Sequence, residues 1–280
     1  MESMELRIDK RNKYNIDEEL YRIAKRVPYN LFIIKVANIY LSMADKLRKI
    51  PKDINIKKFS VKGYQNLPVP VELIESVNNN ETLPAMLYIH GGAFSYHASL
   101  HHKELAYRYA KEVPCRVIFP DYHLTPGYAY PAALLDNLAV YKWAVDNASE
   151  MKIDVNRIIV AGDSAGAAIA ACIVNNYKKE HLVMPCGQML IYPVTDASLS
   201  SDSMKKYVDT PLWNAVNNRK MWQYYLKGKG RQERKKASPM DNELPDELPE
   251  TYIETAEYDC LHNEGIAYAN KIHRYQCYCE

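Results

Sequence analysis

Five residues, Gly162-Asp163-Ser164-Ala165-Gly166, constrain the fold of this chain more than any other segment. They follow a short apolar run, Arg157-Ile158-Ile159-Val160-Ala161, and open a stretch of small residues, Ala167-Ala168-Ile169-Ala170-Ala171-Cys172. That order reads as a strand, a sharp turn with a serine at its apex, and a helix. G-x-S-x-G in such a context is a nucleophile elbow. The turn is strained, and a Cβ at either glycine would collide with the neighbouring strand or helix. Ser164 should then stand above a sheet with a helix N-terminus behind it, where negative charge is favoured.

The rest of the chain supplies a sheet to carry that turn. Strand patterns cover Lys57 to Tyr64 and Val69 to Val77, followed by a turn at Asn78-Asn79-Asn80. From there strands and helices alternate: Ala85 to His90 strand, Lys103 to Val113 helix, Arg116 to Pro120 strand, Pro131 to Asn147 helix. Arg157 to Ala161 is the elbow strand, Ala165 to Lys178 its helix, and Gln188 to Tyr192 another strand. Such alternation predicts an α/β fold, a mostly parallel twisted sheet with helices on both faces. Catalytic groups then belong at the carboxyl ends of strands, and His90, Asp121 and Ser164 all fall just past such ends. Between Thr195 and Arg234 the pattern changes to polar loop plus an aromatic helix, Trp213 to Leu226, which reads as an insertion over the site. Its Tyr207, Trp213, Trp222, Tyr224 and Tyr225 are either the core of that insertion or the lining of an apolar pocket. Upstream, Leu20, Ile23, Ala24 and Val27, then Leu31, Ile34, Ile39, Met43 and Leu47, are spaced as two helices separated by Pro28.

The second element of a site is His90-Gly91-Gly92-Ala93-Phe94, directly after a strand. Acyl transfer passes through a tetrahedral oxyanion, which backbone N–H groups about 3 Å away stabilise. The N–H groups of Gly92, Ala93 and Ala165 are the candidate donors, with Gly91 shaping the loop and His90 bracing it rather than acting as a base. In this architecture the triad runs serine, acid, histidine. Asp259, at the carboxyl end of a strand at Thr251 to Thr255, is the candidate acid; Glu257 is the alternative and Asp196 a more distant one. Asp259 is equally placed to cap the helix starting near Leu261.

Bulk properties exclude several classes. The net charge is +2, which gives no electrostatic case for nucleic acid. No apolar run approaches a membrane span, and Met1 to Glu5 has no signal-peptide character. Six scattered cysteines fit reduced thiols in a cytoplasmic chain better than a disulfide scaffold. No histidine–cysteine cluster completes a metal set, the C-x-C of Cys277 and Cys279 included, so no metal is expected.

The chain resembles the hormone-sensitive-lipase-like branch of the α/β-hydrolase superfamily. The matching segments are His90-Gly91-Gly92-Ala93-Phe94; Asp121-Tyr122-His123-Leu124-Thr125-Pro126 with Tyr130-Pro131-Ala132-Ala133 and Asp136; Gly162-Asp163-Ser164-Ala165-Gly166; Ala237-Ser238-Pro239; and Glu257-Tyr258-Asp259-Cys260-Leu261-His262-Asn263-Glu264-Gly265. Ala93 stands where the family usually has a third glycine, and alanine still offers its N–H. The resemblance implies N-terminal cap helices over residues 1–50, a hydrolase core over 51–280 and a cap insertion at about 195–235. It also implies a carboxylesterase acting on short- or medium-chain acyl esters, a small-molecule partner, no cofactor, and in some members a homodimer.

One part of that pattern is not met. The spacing implied by the resemblance puts the triad histidine beyond Glu280. Only His262 and His273 follow Asp259. His273 would lie about 16 Å along a helix that leads away from the site. The expectation is therefore an impaired esterase, with a last strand and helix missing and the edge of the Thr251–Thr255 strand exposed. Residues Ile272 to Glu280 lack strand alternation, and read one nucleotide out of frame they can encode an alternating apolar strand, which suggests a frameshift. A catalytically silent ligand-binding protein and a non-functional truncated product are the competing expectations.

Overall fold

The computed structural model describes residues 12–14, 16–20, 25, 27–77 and 80–278. Of the helix expected over residues 17–27, residues 21–24 and 26 fall outside them, as do Asn78, Asn79 and Cys279, and Glu18–Leu20 forms a short 3-10 turn.

Seven strands form a single sheet: β1 (Ile54–Lys62), β2 (Pro68–Ser76), β3 (Leu83–Ile89), β4 (Arg116–Pro120), β5 (Ile153–Asp163), β6 (Gly187–Ile191) and β7 (Glu250–Glu254). Their order across the sheet is β1-β2-β4-β3-β5-β6-β7. β1, β2 and β4 pair antiparallel, and every pair from β4 onward is parallel. The helices are α1 (Leu31–Lys46), α2 (Leu100–Glu112), α3 (Ala132–Asp146), α4 (Ala165–Asn176), α5 (Asp202–Lys206), α6 (Ala215–Tyr225), α7 (Arg231–Ala237) and α8 (His262–Tyr278). Among the described residues no helix is long and apolar enough to cross a membrane.

The central strands are near-continuous apolar runs because both faces of the sheet are covered. Side chains alternate faces along a strand. In β3, Met86 and Tyr88 pack with Ala106, Tyr107 and Ala110 of α2, while Ala85, Leu87 and Ile89 join the larger core with α3 and α4. Helix α4 lies against β5 and β6, and five alanines and a glycine among its buried residues let it approach closely. The parallel arrangement brings the ends of β3, β4, β5, β6 and β7 to one edge, where the candidate site lies. β7 is the last strand of the sheet, with alternating exposed and half-buried residues. Cys115, Cys172, Cys186 and Cys260 are free thiols.

Arg116 opens β4 and is almost fully buried. Its guanidinium donates to Glu75 at 2.9 Å and to the carbonyls of Glu81 at 2.9 Å and Lys152 at 2.7 Å. A buried cation needs such partners, and here they tie the amino-terminal ends of β4 and β5 to β2.

Candidate active site

Ser164 sits between β5 and α4 with φ 53° and ψ −115°, a left-handed backbone that only a tight turn imposes on a serine. Its N–H donates to Ile191 at 2.8 Å, and its carbonyl accepts from Ala168 and Val194, each at 3.2 Å. The turn is close-packed: a Cβ on Gly166 would lie 2.0 Å from the Ile89 carbonyl oxygen, and one on Gly162 2.5 Å from the Gly166 carbon. The glycines of the elbow thus admit the end of β3, and with it the His90–Phe94 loop.

That loop is fixed from three sides. Gly91 N–H donates to Asp163 Oδ1 at 2.9 Å, joining the loop directly to the elbow. Beneath it, His90 stacks on Tyr122 at 4.5 Å between ring centroids, its Nδ1–H donates to the Gly91 carbonyl at 2.6 Å, and Tyr122 donates to the His90 carbonyl at 2.8 Å. On the outer side, the Tyr29 hydroxyl donates to the Ala93 carbonyl at 3.2 Å and bonds Ser95 Oγ, which in turn bonds Thr125. Asn38 of α1 donates to the Ser95 carbonyl at 2.8 Å and accepts from His97 N–H at 3.0 Å. Gly92, Ala93 and Phe94 all have positive φ, 116°, 57° and 54°. Among the described residues the N–H groups of Gly92, Ala93 and Ala165 donate to no backbone acceptor. Donors held in this way suit a developing oxyanion.

Asp163 is the hub beneath the turn. It accepts from Gly91 N–H, from Tyr88 at 3.2 Å, and from His102 Nε2 at 3.2 Å. Because Ser99 N–H donates to His102 Nδ1 at 2.9 Å, the ring proton is on Nε2 and points at the carboxylate. Burial alone would raise the Asp163 pKa, but the hydrogen bonds from His102 and from the Gly91 N–H hold it below the ordinary carboxylate value. Burial pushes His90 the other way, down to about 4, so it is neutral at pH 7.

The three candidate acids differ in surroundings. Asp259 is half-buried after β7; its Oδ1 accepts from Leu261 N–H at 3.0 Å, and burial raises its pKa. Burial together with the charges of Asp163, Glu254 and Asp259 pushes Tyr192 up to about 12. Glu257 is exposed. Both carboxylate oxygens of Asp196 are engaged by Ser198, at 2.7 Å each.

All eight histidines lie among the described residues. His97 pairs with Asp121, His102 with Asp163 and His123 with Asp136. His90 faces Gly91, while His101 and His181 are exposed. His262 begins α8 with its Nδ1 buried, and His273 is exposed on α8. Among the described residues no imidazole is hydrogen-bonded to Ser164.

Other motif positions hold loops rather than do chemistry. Asp136 accepts from Tyr64 N–H and from both the N–H and Nδ1–H of His123. Ser238 donates to the Thr195 carbonyl, and Glu264 accepts from the N–H groups of Thr195 and Asp196. Tyr207, Trp222 and Tyr225 are buried, with Tyr225 stacked on Phe94 at 3.8 Å, whereas Trp213 and Tyr224 are half-buried around Tyr29. Trp213, Trp222, Tyr224 and Tyr225 thus pack the insertion against Phe94 and Tyr29. No group of three or more metal-ligating side chains occurs among the described residues.

Comparison with known proteins accords with this arrangement. The alpha/beta hydrolase fold family matches residues 86–280. Ethyl acetate hydrolase of Pseudomonas putida is 30% identical over 207 residues, 73% of this chain, and the chain spans 65% of that protein's length. Carboxylesterase NlhH of Mycobacterium tuberculosis is 30% identical over 241 residues, covering 84% of this chain and 75% of the relative. Among solved structures, a bacterial heroin esterase superposes with a TM-score of 0.80 at 28% identity, covering 93% of this chain and 86% of that one. Esterase LipW from Mycobacterium marinum gives 0.83 at 27% identity, with coverage of 93% and 83%. The chain belongs to the α/β-hydrolase family, in its hormone-sensitive-lipase-like branch.

Proposed function

We propose that the chain is a carboxylic ester hydrolase that acts on short- to medium-chain acyl esters through a serine acyl-enzyme. Ser164 is the nucleophile, the N–H groups of Gly92, Ala93 and Ala165 are the oxyanion donors, and Asp259 is the triad acid, whose histidine partner these 280 residues do not bring to Ser164. The observation that carries this reading is the joint between elbow and loop. One carboxylate, Asp163, bonds the Gly91 N–H and adjoins Ser164, so nucleophile and donors are set by the same few atoms. Esterase names among the relatives support the reaction class.

In the reaction the Ser164 oxygen attacks the ester carbonyl, and its proton passes to a base. The carbonyl oxygen gathers negative charge among the three N–H groups. The tetrahedral species then expels the alcohol, which takes up the proton, and water cleaves the acyl-enzyme by the reverse sequence. Ester and water supply every reagent, and no cofactor is needed. With no imidazole on Ser164 among the described residues, these 280 residues turn over slowly; loss of the histidine in an unrelated serine hydrolase costs about 10⁶ in kcat.

The same observation favours a second reading, a binding protein on this scaffold that performs no chemistry. An activated ester separates the two. With p-nitrophenyl acetate the good leaving group drives acylation while deacylation lags. The expected result is a burst approaching one p-nitrophenolate per chain and then a slow steady rate, with no burst in Ser164→Ala. Absence of the burst in the wild type, with saturable ligand binding, would favour the binder.

A further inference from the structure

Helix α1 has two faces of opposite character. Ile34 is its one fully buried side chain, and Asn38 on that side holds Ser95 and His97. On the other side Phe32, Val36, Ile39, Tyr40, Met43 and Leu47 are exposed by 74%, 50%, 55%, 69%, 59% and 79%. Their three- and four-residue spacing aligns them as one ridge along a helix about 24 Å long. Single exposed apolar residues are ordinary; a contiguous ridge of this kind marks an interaction surface.

Charge says what the surface meets. Lys35, Lys46, Lys49 and Lys52 are exposed on α1 and the segment after it. The acidic residues of the same stretch are engaged elsewhere, Asp45 with Arg48 and Asp53 with Lys111. Among the described residues none of the four lysines has an acidic partner. A two-fold pairing of ridges would bring eight such uncompensated cations to one interface. Tyr40 carries the ridge's one hydrogen-bonding side chain, which suits a fluid apolar phase.

We propose that α1 docks the protein on an anionic lipid surface. The helix lies in the plane of the interface, with its ridge at the boundary between headgroups and acyl chains and its lysines against anionic headgroups. The inference is independent of the chemistry at Ser164.

The test is co-sedimentation of the 280-residue chain with vesicles of phosphatidylcholine containing phosphatidylglycerol, and with vesicles of phosphatidylcholine alone. Binding is expected to the anionic vesicles, with loss at high salt. It should weaken by about tenfold or more both in the double variant Phe32→Ser/Leu47→Ser and in Lys49→Glu/Lys52→Glu. Circular dichroism shows that each variant is folded; the second leaves the ridge intact, so misfolding of the first does not block the test. Failure of the wild type to sediment, or undiminished binding by both variants, overturns the proposal. So does a dimer seen by light scattering that the ridge variant abolishes while vesicle binding persists.

Discussion

A serine hydroxyl is a weak nucleophile, so what surrounds Ser164 matters more than the serine itself. Its backbone is pinned by three hydrogen bonds, and the loop beside it is pinned to Asp163 and to His90. His90 carries a testable signature. Its folded-state pKa is depressed from the ordinary 6.5 to about 4, because burial disfavours the charged ring. The stability it contributes is therefore full above pH 6.5 and is lost as pH falls through 4, up to about 3 kcal/mol. His90→Asn keeps a donor for the Gly91 carbonyl but cannot titrate. Urea midpoints taken between pH 7 and pH 4 should fall less steeply in that variant than in the wild type; parallel slopes would contradict the placement of His90. The glycines and serine of the site are readable in sequence because close backbone approach and a left-handed turn admit few residue types. Tyr29, Tyr88 and His102 are not. They are ordinary residue types, and only the tertiary fold brings Tyr29 to Ala93 or His102 to Asp163.

The elements around the site differ in how they bear on it. Helix α1 and the residue before its cap reach over the His90–Phe94 loop, and Tyr29 holds the Ala93 carbonyl from that side. Tyr29→Phe should slow the p-nitrophenyl acetate burst by roughly tenfold, with little change in the concentration giving half the maximal burst rate, because the loop's donors loosen while the binding surface is kept. A change confined to that concentration would assign Tyr29 to binding instead. At the opposite end of the sheet, Arg116→Ala strips the guanidinium from buried Glu75 and from two carbonyls. It should lower unfolding free energy by about 3 kcal/mol in urea titration; a loss below about 1 kcal/mol would contradict the importance given to that pair. The helical spacing of Leu31 through Leu47 gives the helix but not its direction: Ile34 faces in, while Ile39, Met43 and Leu47 face out. β5 begins at Ile153, not at Arg157 as its apolar run predicts. Asp154 and Asn156 are poor strand formers, and the register shift opposite Leu83 and Ala85 lets them be included.

For the whole molecule, the parallel sheet gathers the ends of β3, β5 and β7 at one edge, so residues as distant in sequence as His90, Ser164 and Asp259 become neighbours of a common region. The alternation of strands and helices made this architecture legible in advance. The placement of the imidazoles was not, since ring contacts are set by tertiary packing; His97, His102 and His123 pair with aspartates and His90 bonds Gly91. In the proposed reaction Ser164 is held where a substrate carbonyl meets the loop's N–H groups. Peptide mapping by mass spectrometry after exposure to p-nitrophenyl acetate tests this placement. One acetyl group is expected on the peptide carrying Ser164, absent from Ser164→Ala. Acetylation of surface lysines alone, with Ser164 unmodified, would contradict it.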